Sequence, residues 1–258
     1  MSNTFCRFLS NGYSYNFVNS QLKVKPCCWY NGDHTREYLQ SITGWTSGCE
    51  VCWKQELSGY HSFRQASFDI VPDLKDHSIV ALDVAVDFNC NAACVMCGPE
   101  FSSTWSKHLD NLKVIHIAPK FDSPVELPKL DLINLRRIKF FGGEPLLTDL
   151  HTDILKQIEN PGQVEIWYTT NASILPSQEV LDLWSKFKLV FLEASIDGVG
   201  EQFEYIRWPL VWTRVEENLL KLKQIGPNNL LFRINHTLNP FNIYYYDRLE
   251  TWFNQNLA

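Results

Sequence analysis

From Ile79 onward, short apolar runs alternate with stretches whose apolar residues recur every three or four positions. The runs "IVALDVAVDF" (79–88), "RRIKFF" (136–141), "QVEIWYTT" (163–170), "KLVFLEASI" (188–196) and "LLFRINHTL" (230–238) have the length and the β-branched, aromatic content of buried strands. Helical spacing follows near 100–113, from Leu147, from about Ser177, in "RVEENLLKLKQ" and in "YYYDRLETWFNQ". Strands alternating with helices predict an α/β fold, with a parallel sheet joined by right-handed crossovers and either open or curled into a barrel. Five βα units are recognisable, and the chain stops in the fifth helix. A sixth strand is therefore expected to be missing. The fifth should lie at an edge, covered by the N-terminal residues, by a partner chain, or by sequence that a longer form of the protein would carry.

Residues 1–70 have a different texture. They are rich in Tyr, Trp, Asn and Ser, with short extended pieces such as "QLKVKP", and read as a small module that needs a metal or cluster to hold it together. "DIVPDLKDHS" reads as the linker to a second unit over 78–258.

In parallel sheets ligands bind at the carboxyl ends of the strands. The unusual residues sit there. A cysteine loop follows the first strand, Gly142-Gly143-Glu144 the second, Thr170-Asn171 the third, and Ser195-Ile196-Asp197-Gly198 the fourth. Asn235 and Thr237 on the fifth strand are weaker candidates.

Composition narrows the chemistry. The 258 residues are 45% hydrophobic and 20% charged, an ordinary globular balance, with no apolar run long enough to span a membrane and no signal-peptide core. A cytoplasmic location is the default expectation. The formal net charge of −6, without a long basic run, disfavours general nucleic-acid binding. The eight cysteines all lie before residue 98, in two groups. Clustered thiols in a reducing compartment bind metal more often than they form disulfides.

Cys90, Cys94 and Cys97 have the spacing Cys-x3-Cys-x2-Cys. Thiolates hold the irons of a [4Fe–4S] cluster, normally four of them, so three leave one iron open for chemistry. A structural zinc site would want a fourth, closing ligand. This spacing resembles the signature of the radical S-adenosylmethionine (SAM) enzymes. The resemblance covers residues 79 to 245 and implies a partial (β/α) barrel that cleaves SAM reductively to a 5′-deoxyadenosyl radical, which then abstracts hydrogen from a substrate. It also implies a low-potential electron donor such as flavodoxin or ferredoxin. By the same resemblance Gly142, Gly143 and Glu144 would receive the ammonium of SAM, Thr170 and Asn171 its ribose and methionine, and Ser195 and Asp197 would make further contacts. Arg207, in "EYIRWP", would meet its carboxylate.

The front group supplies Cys6, Cys27, Cys28, Cys49 and Cys52. "GCEVCW" is a Cys-x2-Cys pair, a tight turn that places two thiolates on one metal. "KVKPCCW" resembles the entry to the SPASM and twitch modules of peptide-modifying radical SAM enzymes, although Leu22 stands where that pattern has glycine and the module here precedes the barrel. The resemblance implies a second [4Fe–4S] cluster on Cys6, Cys27, Cys49 and Cys52, with Cys28 spare, and a peptide or protein side chain as substrate. Zinc held by four cysteines is the alternative for this site. Trp29, Trp45 and Trp53 are expected to shield it. The rival from another class is a non-catalytic iron–sulfur or zinc protein for electron transfer or binding. It accounts for the cysteines but not for the successive strand ends.

Overall fold

The computed structural model describes residues 6–18, 21–72, 76–85, 87–116 and 129–258. Part of the expected linker, residues 73–75, lies outside that set. The chain begins with α1 (Arg7–Asn11), the hairpin β1 (Gly12–Val18) and β2 (Gln21–Lys25), and three short helices, α2 (Arg36–Ser41), α3 (Glu50–Leu57) and α4 (Phe63–Ile70). The alternating part follows as β3 (Ala81–Ala85), α5 (Ser103–Asn111), β4 (Arg137–Phe141), α6 (Leu150–Leu155), β5 (Glu165–Thr170), α7 (Gln178–Trp184), β6 (Leu189–Ser195), α8 (Glu201–Ile206), α9 (Trp212–Ile225), β7 (Leu230–Asn235) and α10 (Tyr246–Asn256).

One seven-stranded sheet runs in the order β2-β1-β3-β4-β5-β6-β7. Every pairing is parallel except β1 with β2. From β3 to β7 the spatial order follows the chain order, so right-handed crossovers of constant direction put their helices on one face, the arrangement of a barrel rather than of a doubly wound sheet. Strand period 2 does the sorting. Leu82, Val84, Ile138, Phe140, Ile166, Tyr168, Val190 and Leu192 point to the helical face and pack with Leu155, Leu181, Trp184, Val215, Leu219 and Leu249. Each such side chain stabilises the fold by roughly 1.5–3 kcal/mol. Their neighbours Asp83, Arg137, Lys139, Trp167, Thr169, Phe191, Glu193 and Arg233 occupy the opposite face.

Two expectations are corrected. The sheet does have a sixth parallel strand, built from the first seventy residues: β1 pairs with β3 from Gly12↔Ala81 to Asn16↔Ala85. "GYSYNFV" hides this because it alternates aromatic with polar residues and contains no apolar run. The expected edge is present all the same, since β7 ends the strand order and leaves Leu231 exposed. Second, residues 6–70 hold more than the short extended pieces read from the sequence. They form four helices of five to eight residues, too short for helical periodicity to register, capped by Thr35 before α2 and by a Ser62/Gln65 capping box before α4. A second apolar cluster, including Phe8, Leu9, Tyr30, Leu39 and Val71, joins these helices to Val80 and Ala81 at the foot of β3.

The main core contains one polar chain. Trp184 Nε1 donates to Tyr168 Oη at 3.4 Å, and Tyr168 Oη lies 2.7 Å from His151 Nδ1. With Tyr168 donating, the ring of His151 must be neutral, and burial pushes its pKa down to about 4. The unfolded chain, with a pKa near 6.5, binds the proton first, so this contribution to stability is intact above about pH 6.5 and is lost as pH falls toward 4. Urea unfolding between those values should show a loss on the order of 3 kcal/mol, and His151→Gln should flatten that slope.

Candidate functional site

The loop after β3 is clamped from every side. Ala93 N–H donates to Trp208 O (2.6 Å) and Val95 N–H to Ile206 O (2.9 Å), which ties the loop to the end of α8. The hydroxyls of Ser102, Ser103 and Thr104 fold back onto it: Ser102 onto Ala92 O, Ser103 and Thr104 onto Cys90 O. Trp105 Nε1 donates to Cys94 O at 2.8 Å. Asn91 Nδ2 reaches Ser173 Oγ at 2.8 Å, beyond the end of β5. Sequence reasoning missed this set, although the hydroxyl run "SST" directly after the cysteines was a readable signal for a helix cap turned toward them.

The two glycines are explained by backbone against backbone. Gly142 has φ +119°, and a Cβ there would stand 2.9 Å from Asp87 O. At Gly143 a Cβ would stand 2.1 Å from Asn89 O, which no side chain can tolerate. The close approach lets Gly143 N–H donate to Asp87 O (3.2 Å) and Glu144 N–H to Asn89 O (2.6 Å).

Glu144 then crosses to β5. Its Oε1 accepts from Thr170 Oγ1 (2.6 Å) and from Leu146 N–H (3.2 Å), and its Oε2 accepts from Asn171 N–H (2.6 Å). The side chain is only 1% exposed, and burial raises its pKa while these donors and Arg207 oppose the rise. Asn171 Nδ2 donates to Asn91 Oδ1 at 2.8 Å and lies 4.0 Å from Cys90 Sγ. The structure therefore gathers Gly142, Gly143, Glu144, Thr170 and Asn171 into one network with the loop. In it the carboxylate of Glu144 is a brace between strand ends.

Asp197, fully buried, accepts from Thr237 N–H at 2.7 Å, and its Oδ2 lies 2.7 Å from Arg207 Nη2. That charge contact is short but not aligned as a hydrogen bond. Arg207 Nη1 in turn donates toward Cys94 Sγ at 3.7 Å. Ser195 closes β6 beside Asn235 of β7, and Thr237 takes part through its backbone alone.

Burial pushes the Cys90 thiol up to about 11. The Cys94 thiol is raised mainly by donating to Cys97, whose own pKa that bond lowers. Arg207 draws all three down. The donor set fits a [4Fe–4S] cluster with one open iron: three thiols in one loop, no fourth cysteine in it, and a cation ready to stabilise thiolates.

The N-terminal cysteines meet elsewhere. Cys6, Cys27, Cys49 and Cys52 line a narrow recess whose walls include Phe8, Trp29, Tyr30, Trp45 and Phe63. Cys28 points away, its N–H donating to Asp83 Oδ2 at 3.1 Å. Trp53 stands exposed and is not among the lining residues, contrary to its expected shielding role. Burial pushes Cys6 and Cys49 up to about 11 and raises Cys27 and Cys52, so a metal entering here must displace protons. Arg64, which also lines the recess, makes a two-pronged contact with Glu56 at 2.8 and 2.6 Å, joining α3 to α4. Among the described residues no three ligating side chains converge on a point that would hold a single ion. A cluster, which distributes its ligands over several irons, asks for less convergence.

No protein-family model matches the chain. Among curated proteins it is 28% identical over 105 residues to a GTP 3′,8-cyclase of Petrotoga mobilis, a match covering 40% of this chain and 31% of that protein. It is 30% identical over 110 residues to a probable GTP 3′,8-cyclase of Thermoplasma volcanium, covering 42% of this chain and 30% of that one. The matched region thus spans less than a third of the length of either relative. Among solved structures it is similar to native anSMEcpe with bound AdoMet, at 16% identity and a TM-score of 0.44, over 68% of this chain and 48% of that one. It is also similar to Streptococcus suis SuiB bound to precursor peptide SuiA, at 15% identity and a TM-score of 0.43, over 81% and 50% of the two chains. The relatives support the resemblance to the radical SAM superfamily.

Removing Glu144 should act on the fold as well as on any ligand. Glu144→Ala leaves the Asn171 N–H buried without an acceptor, a loss of about 1–3 kcal/mol in chemical unfolding. SAM affinity should fall about ten- to a hundredfold in the same variant. Equal SAM affinity in the two proteins would mean that the brace serves the fold alone.

Proposed function

We propose that the chain is a radical SAM enzyme whose SAM-binding [4Fe–4S] cluster is held by Cys90, Cys94 and Cys97. The observation that carries this reading is the junction of the three-thiol loop with four consecutive parallel strand ends through Gly143, Glu144, Asn171 and Arg207. A non-catalytic electron carrier would need the thiols but not the network behind them. When bound, the cluster would supply the electron that splits SAM into methionine and a 5′-deoxyadenosyl radical able to take hydrogen from a substrate. The chain's own residues have simpler tasks. Asn91 and Asn171 fix the loop against β5, Arg207 would balance the negative charge of the thiolates, and Gly142 and Gly143 keep the loop pressed to the sheet.

In this reading Cys6, Cys27, Cys49 and Cys52 hold a second [4Fe–4S] cluster, and a donor such as flavodoxin or ferredoxin supplies electrons. Zinc held by the same four cysteines is the alternative at that site. A peptide or protein side chain is the proposed substrate, on the likeness of the front module to the twitch group. The names of the curated relatives favour a second reading, in which the substrate is a nucleotide. Among the described residues no helix is long and apolar enough to cross a membrane.

Anaerobically reconstituted and reduced protein should form 5′-deoxyadenosine from SAM, and replacing Cys90, Cys94 and Cys97 by Ala should abolish it. Undiminished product from the triple variant would refute the assignment. Iron should approach about eight per chain in the wild type and about four in Cys49→Ala/Cys52→Ala. Zinc found in place of the second four would remove the auxiliary cluster and leave the first assignment standing.

A further inference from the structure

The sheet face opposite the helices carries charge that the reading above leaves without a task. Lys139, Trp167 and Phe191 stand in register across β4, β5 and β6. One step nearer the strand ends stand Thr169, Glu193 and Arg233. Two cations here already face a carboxylate. Lys139 Nζ meets Glu193 Oε2 at 2.7 Å, where Thr169 Oγ1 also donates, and Arg137 faces Asp83 at 3.7 Å. Arg233, on the same face, has no carboxylate within 4.0 Å among the described residues. Its guanidinium carbon lies 4.5 Å from the Trp167 ring and 4.4 Å from the Phe191 ring, which are themselves stacked at 4.1 Å.

Stacking on two rings fixes the guanidinium and leaves its fork of N–H groups available in an exposed position. One more donor is buried there without an acceptor, Trp167 Nε1, on the indole that both Arg233 and the Asp83-facing Arg137 approach. Buried donors in proteins are nearly always satisfied, so an unsatisfied indole N–H beside an unpaired cation points to a ligand that brings acceptors only.

We infer that Arg233 and Trp167 form a subsite for an oxyanion of the substrate, a carboxylate or a phosphate, on this face of the sheet and beneath the strand ends that hold the cysteine loop. The inference rests on the proposed function and deepens it by naming the substrate class. Arg233 supplies the charge and a planar fork, Trp167 Nε1 a directed donor. Oxyanion entry neutralises the uncompensated cation on the face.

Reconstituted full-length protein with SAM present would be titrated calorimetrically with GTP, with pyrophosphate and with the tripeptide Gly-Glu-Gly. Wild-type protein should bind at least one of these classes. Arg233→Gln should weaken that binding about ten- to a hundredfold, at unchanged iron content and unfolding midpoint. Trp167→Phe, which keeps the stack and removes the N–H, should weaken it severalfold. Arg233→Lys separates the sources, because a point charge preserves phosphate binding better than it preserves the two-pronged carboxylate contact. No binding by wild-type protein, or equal binding by Arg233→Gln, overturns the subsite. Wild-type protein that forms no 5′-deoxyadenosine overturns the functional reading instead, a result the anion titrations cannot imitate.

Discussion

A carboxylate without water must be surrounded by donors, and that requirement at Glu144 organises the strand-end region. Its donors come from the next strand, Thr170 and the Asn171 N–H, so the ends of β4 and β5 are held in fixed relation. Its own N–H is taken by Asn89, so the cysteine loop is held to the same point. Glycine at 142 and 143 is a condition for this, since any Cβ at 143 would push the loop away. The position of the three thiols thus follows from satisfying one buried acid.

The second constraint is electrostatic. Three thiols that would have to become thiolates to hold the proposed cluster sit in a chain with a formal charge of −6, and burial opposes ionisation at Cys90 and Cys94. Arg207 is the local remedy, and Asp197 keeps that arginine in place. A buried pair of this kind is worth little as stabilisation in itself. Its value is in aiming the guanidinium at the sulfurs.

Much of this was legible before any coordinates. The five apolar runs fell where β3 to β7 lie, and the special residues at four strand ends were read from their position after each run. What escaped has physical reasons. β1 owes its place to backbone pairing with β3 and buries Tyr15 and Ser14, a pattern no apolar count detects. Asn91, Ser173 and Ser102 are ordinary loop residues whose partners are remote in sequence. The role of Arg207 was expected toward a ligand, whereas its observed neighbours are Asp197 and Cys94. Arg233 had no motif around it and became visible only when period 2 placed it beside Trp167 and Phe191.

The pairing of β1 with β3 also sets an order of events. β4 to β7 each join the strand that precedes them, one or two helices away in the chain, whereas Gly12 must wait for Ala81. Closing a connection of that length before any contact rewards it is slow, and such long-range pairings delay folding. On a growing chain the front segment emerges first yet finds its sheet partner late, spending the interval with strand edges unpaired. Its four recess cysteines share that wait, because the cluster of side chains around Cys6 and Cys27 is completed by Val80 and Ala81. If those cysteines hold the proposed second cluster, its capture would be gated kinetically by the arrival of β3.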